Sequence, residues 1–202
     1  SLVTGSVLTI PASSTVTAGT IQASGASNNA TISALGRLEG ATLSNNSGTL
    51  NVVLGNGAVL DGITISDDRT LVVDTLLTLE GNLTLANDVD LVISGSGTVA
   101  GGGTIAVAAG AANNEKVTID GAISSLENIT FSSDVDGGIF VNGIAVSFTN
   151  VELSDDLSLV TGSVLTIPAS STVTASATIQ ASGSDNNATI SALGRLDGAT
   201  LS

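Results

Sequence analysis

The chain repeats itself over a span much longer than any single strand or helix. Residues 1–44 return as residues 158–202, with 40 of 44 positions identical and one inserted residue near Ala177. The period is about 158 residues, so the 202-residue chain holds one full unit, 1–157, and the start of the next, 158–202. Self-similarity of this kind points to stacked repeats that share one core. We read the chain as one continuous domain over 1–202, a window on a longer tandem array. In such an array the residue after Ser202 is expected to be Asn or Asp, matching Asn45.

A finer period lies inside the long one. The phrase Leu-acidic-Gly/Asn, x, Thr-apolar-Ser appears as LEGATLS (38–44), LDGITIS (60–66), LENITFS (126–132) and LDGATLS (196–202), with FTNVELS (148–154) a looser copy. Its Thr marks Thr20, Thr42, Thr64, Thr84, Thr104, Thr130, Thr178 and Thr200, with Glu152 in the equivalent place of the looser copy. Seven steps cover 158 residues, a mean of about 22.6. Each step carries three short β-branched or Leu-rich pieces. The first is the landmark strand, as in ATLS (41–44). The second includes TLNVVL (49–54), TLVV (70–73), DLVI (90–93) and GIFV (138–141). The third includes AVL (58–60), LLTL (76–79), IAVS (144–147) and VLTI (7–10 and 164–167). Gly, Asn and Asp sit between the pieces, where corners need them, and no helical periodicity is sustained.

Three strands and about 22 residues per step, with no helices, describe an all-β, right-handed parallel β-helix. Its coils are expected about 4.8 Å apart, so seven coils would rise roughly 34 Å per long unit.

Composition narrows the function. Aromatic residues make up 1% of the chain, and it has no His, Cys, Met, Trp or Tyr. With 42% hydrophobic and only 11% charged residues the chain is ordered, but its core must be aliphatic. The formal net charge is −14, from 18 acidic and four basic residues. Such a surface cannot neutralise phosphates, so no nucleic-acid partner is expected. No apolar run is long enough to span a bilayer, so no membrane insertion is expected in this segment. Without His or Cys, no Ser-His or Cys-His nucleophile can be assembled. Gly95-Ser96-Gly97-Thr98-Val99-Ala100 resembles a dinucleotide fingerprint, but Gly101-Gly102-Gly103 follows where a helix start is required. We therefore expect no catalysis, no catalytic or cofactor-binding residues, and no required cofactor.

Acidic residues recur just after the landmark strand. Asn45-Asn46, Asp67-Asp68, Asn87-Asp88, Ser133-Asp134 and Asp155-Asp156 are expected to stack at one corner, where Asn and Asp suit a left-handed backbone and bond neighbouring amides. Asp67 and Asp68 would lie one coil from Asp88 and Asp90, and Asp134 and Asp136 one coil from Asp155 and Asp156. Carboxylates about 5 Å apart repel by roughly 1 kcal/mol in water, and hard oxygens at this density suit Ca²⁺. These eight Asp are therefore the candidate metal column, although the nonapeptide GGxGxD calcium pattern is absent. A second binding reading is an outward Thr-x-Ser array at Thr42/Ser44, Thr64/Ser66, Thr130/Ser132 and Thr200/Ser202, which would suit ice. A face carrying Ca²⁺-bridged carbohydrate is the other form of that reading.

Long near-identical units that are Cys-free, acidic and rich in Ala, Gly, Ser, Thr, Val and Asn resemble the tandem-repeat shafts of giant bacterial surface and secreted adhesins. The β-helical filamentous-haemagglutinin-like and autotransporter proteins are similar. The resemblance implies secretion to the cell surface or beyond, an extended shaft, and adhesion carried elsewhere in the protein. Its expected partners are further copies of the repeat along the chain, with lateral self-association between shafts.

Overall fold

A computed structural model of the chain describes residues 1–24, 29–46, 48–108, 114–132, 137–183 and 187–202, without the side chain of Asn46. Among the described residues 28 strands and no helix are formed. They sort into three sheets of ten, nine and nine strands, and each sheet takes every third strand in chain order. The first sheet begins at Val7–Ile10, the second at Thr15–Thr17 and the third at Thr20–Ser24. Every strand pairing is parallel. The protein is a parallel β-solenoid, with three strands per coil as the sequence predicts.

The strands are short because alternation sets one side chain in and the next out, and a corner follows within a few residues. In the first sheet the inward column runs Ile32, Val52, Leu71, Ile93, Ile119, Val141, Leu159. None of these is more than 2% exposed. Stacking like on like gives each coil the apolar cover that it cannot supply alone. Phe131 and Phe148 are the largest fully buried side chains.

The recurring phrase has a backbone cause. Gly40, Gly62, Asn128 and Asn150 all turn the corner from the second sheet to the third with φ between +52° and +64°. An L-residue with a Cβ avoids that left-handed region, and Gly and Asn are the residues that enter it most easily. The Asn side chains then bond from coil to coil: Asn150 Nδ2 donates to Asn128 Oδ1 at 3.3 Å, and Thr172 N donates to Asn150 Oδ1 at 3.2 Å. Asn side chains thus link successive coils at this corner.

The register corrects the landmark column in two places. Thr20, Thr42, Thr64 and Thr84 stack in the third sheet, but Thr84 then pairs with Ala106 rather than Thr104. Thr104 pairs with Thr130, Thr130 with Glu152, and Glu152 with Thr174 rather than Thr178. Cross-strand pairing is set by burial of the inward residues, Leu83 on Ile105 and Leu153 on Ala175, and not by matching the outward Thr. Coil length is correspondingly elastic. Successive partners lie 18 residues apart from Ile139 to Leu157 and 27 from Thr98 to Ser125.

The larger correction concerns the long unit. VLTI at Val7–Ile10 lies in the first sheet, and the identical VLTI at Val164–Ile167 lies in the second. Thr20–Ser24 is in the third sheet, whereas its copy Thr178–Ser182 is in the first. Arg37–Glu39 is in the second and its copy Arg195–Asp197 in the third. All six strands of the repeated segment move on by one sheet. The unit therefore spans 22 strands, seven coils and one third, and not the seven whole coils predicted from the Thr spacing.

Candidate functional site: the acidic corner and faces

The corner between the third and first sheets holds the Asp-rich segments. Asp68, Asp88, Asp90 and Asp156 are exposed, and Asp67 and Asp155 are half-buried. Several of these carboxylates cap backbone N–H groups of a neighbouring coil. Asn45 N donates to Asp67 Oδ2 at 2.7 Å, Asp90 N to Asp68 Oδ1 at 2.8 Å, and Thr178 N to Asp156 Oδ1 at 2.7 Å. Corner amides point away from the ladder, and a carboxylate one coil away satisfies them. Asp88 accepts from Asn87 Nδ2 at 2.9 Å and from Asn114 Nδ2 at 3.4 Å. Its backbone is left-handed, with φ of 59°.

The sequence grouping is thus realised in part. Asp68 and Asp90 come together across one coil, and Asp67 reaches instead toward Asn45. Asp134 and Asp136 lie outside the described residues. Among the described residues no group of three or more acidic side chains is placed to hold a metal ion.

Two buried charges flank this corner, and neither was visible in the sequence pattern. Arg69 points inward at 4% exposure and donates to the Leu50 carbonyl and, at 3.2 Å, to Asn45 Oδ1. Its Nε has no partner. Burial pushes the guanidinium below its ordinary range, with Asp67 pulling it back up. Glu115 is 1% exposed and accepts from the backbone N–H groups of Asp88 and Asn114. Outside Arg69, an open depression of about 240 Å³ is lined by Thr49, Asn51, Asp68, Thr70, Asp90 and Val92.

The second sheet carries the strongest charge constellation. Glu39, Asp61 and Glu80 stand outward on three successive coils, since Glu39 pairs with Asp61 and Leu60 with Leu79. Arg37 binds all three, with Nε 3.6 Å from Glu39 and its two amino groups on Asp61 and Glu80. The guanidinium is held above its ordinary range, first by the hydrogen bond to Glu80 and against some desolvation. A planar fork suits such bridging better than an ammonium would. The signal is present in the sequence as acidic residues, Glu39, Asp61 and Glu80, at about one-coil spacing after Arg37. In the second copy Arg195 bonds Asp197 at 2.7 Å, the equivalent of Glu39.

The third sheet presents the hydroxyl column Thr20, Thr42, Thr64 and Thr84, which Ala106 interrupts. Lys116 lies 4.7 Å above the outward Phe140 ring, a cation–π contact. No helix among the described residues is long and apolar enough to cross a membrane. The described faces thus carry a hydroxyl column broken at Ala106, carboxylates that cap backbone amides, and one short acidic ladder. No known family, curated protein or solved structure matches it.

Proposed function

We propose that the chain is a segment of the shaft of an extracellular fibre or surface adhesin, and that its work is mechanical rather than catalytic. The junction between units carries the reading. Leu157–Val160 straddles the start of the second copy, and it pairs with Ile139–Val141 on one side and Thr178–Ser182 on the other. Ala145–Thr149 receives Val164–Ile167 in the same way. One unit flows into the next with no linker and no break in the core, so repeated units lengthen one rod instead of adding beads. Outward carboxylates and a net charge of −14 favour a hydrated shaft that resists non-specific collapse. Extracellular placement rests on the resemblance of repeat style.

The test is immunogold electron microscopy of intact producing cells, using antibody raised against the 202-residue chain. Labelled rods outside the envelope are expected. Label that appears only after permeabilisation, or globular beads joined by thin linkers, would overturn the proposal.

A further inference from the structure

We infer that tandem copies of this unit form a three-faced screw, in which each copy shows the same outward patch one face further round the shaft. The inference rests on the shaft reading above and adds how that shaft presents itself to a partner. Its basis is the one-sheet advance between the two copies. Val7–Ile10 and Val164–Ile167, Thr20–Ser24 and Thr178–Ser182, and Arg37–Glu39 and Arg195–Asp197 each share a sequence and differ by one sheet in the same direction.

The advance follows from the strand count. Twenty-two strands close seven coils and leave one strand over, so an added unit begins a third of a turn on, about 120°. With coils about 4.8 Å apart, each unit rises about 35 Å, and three units, 22 coils, return to the starting face after about 106 Å. The three corners permit this because their chemistry is local. Leu38-Glu39-Gly40 turns from the second sheet to the third, and Leu196-Asp197-Gly198 turns from the third to the first, both with a left-handed Gly. Nothing in the phrase is specific to one corner.

The consequence concerns recognition. The Arg37 clamp belongs to the second sheet in the first copy, and its counterpart Arg195 belongs to the third. A partner that binds a patch of the unit therefore meets it from three sides, with copies on any one side about 106 Å apart. The hydroxyl column behaves alike: Thr20 and Thr42 face out from the third sheet, and Thr178 and Thr200 from the first. A flat, single-face ligand lattice such as ice cannot run from one unit to the next. Polyvalent capture from all directions can.

The first experiment uses the full chain, which has no Cys of its own. Glu152 and Thr174 are both exposed and directly paired. Neighbouring Cα atoms about 4.8 Å apart in a sheet lie within disulfide reach. The double variant Glu152→Cys/Thr174→Cys should close to a disulfide nearly completely under mild oxidation, read by intact mass and non-reducing mobility. Glu152→Cys/Thr178→Cys should stay open, because Thr178 lies beyond a corner on another sheet. If the second pair closes and the first does not, the copies keep the same face and the inference falls. If neither closes in chains that keep their β circular dichroism, the register is wrong and it falls equally.

The second experiment places three copies of 1–157 ahead of 158–202 and images the array by electron cryomicroscopy. A smooth rod turning about 120° every ~35 Å is expected. A smooth rod with no rotation per unit would refute the screw and leave the shaft intact. Separated beads would refute the shaft itself.

Discussion

Leu43 and Leu201 are the same residue of the same repeated segment, and they test the stacking energetics against each other. Leu43 is fully buried, between Ile21 and Ile65 on the coils below and above. Leu201 pairs with Leu's usual neighbour on one side only, Ile179, and is 58% exposed. Truncating a fully buried Leu to Ala costs about 2.7–5 kcal/mol, because the cavity adds to the lost transfer energy. Full burial of a Leu is worth only about 1.5–3 kcal/mol, and Leu201 realises less than half of it with no cavity left behind. Leu201→Ala should therefore cost less than about 1 kcal/mol. Urea unfolding followed by far-ultraviolet circular dichroism is the assay, since no Trp or Tyr is present. With a slope near 2 kcal/mol/M, Leu43→Ala should lower the midpoint by about 1.4–2.5 M, and Leu201→Ala by less than about 0.5 M. Equal shifts would refute the claim that inter-coil cover, rather than local strand formation, is the main source of stability.

The Arg37 clamp predicts a salt-dependent loss: Arg37→Met should lower the melting temperature at low ionic strength, and the deficit should shrink above about 0.5 M NaCl as the three carboxylates are screened from one another; a deficit independent of salt would refute the electrostatic account. At Gly62, whose φ is +62° with nothing near its absent Cβ, Gly62→Ala should cost about 1–2 kcal/mol, and Gly62→Asn clearly less. Equal urea midpoints for the two variants would show that the corner does not demand a left-handed residue. Arg69 is charged at a cost, since burial lowers its proton affinity below that of the unfolded chain. The sign follows: the penalty is constant at neutral pH and would be relieved only in strong alkali, near the lowered folded value. Arg69→Met keeps the packed stem and removes the charge, so stability should hold or rise. A fall of more than about 2 kcal/mol would show that the bonds to Leu50 and Asn45 outweigh desolvation.

The coil was legible in the sequence because its determinants are local. Alternation in TLNVVL and TLVV, Gly or Asn at φ-demanding corners, and the 22-residue recurrence each follow from backbone geometry within a few residues. Register was less legible. The Thr landmark faces outward, and outward residues do not choose partners; Leu83 on Ile105 and Leu153 on Ala175 do. The acidic corner was legible as a place, with Asp68 and Asp90 brought together across one coil. Its hydrogen-bond roles were not, because whether a carboxylate caps the amide above or below depends on backbone direction at a bend. Arg69 and Arg37 were hidden for opposite reasons. One reads as a surface charge but turns inward, and the other pairs with residues 24 and 43 positions away that only the coil brings near.

The phase of the long unit was the least legible feature, and its cause is the interchangeability that makes the fold work. A solenoid whose three corners had different sequence requirements would lock each segment to one sheet, and a copy placed a third of a turn out would lose its core. Here the inward residue is almost always an aliphatic side chain and the corner residue a small or amide one, in every sheet. Ile32, buried in the first sheet, and its copy Ile190 in the second meet the same kind of neighbours, Leu8 and Val52 in one case and Leu165 in the other. The core requires only inward alternation and coil closure, so the unit length need not be a whole number of coils. A unit of 22 strands then closes its core as one of 21 would, and the surplus strand turns a repeated sequence into a rotating display.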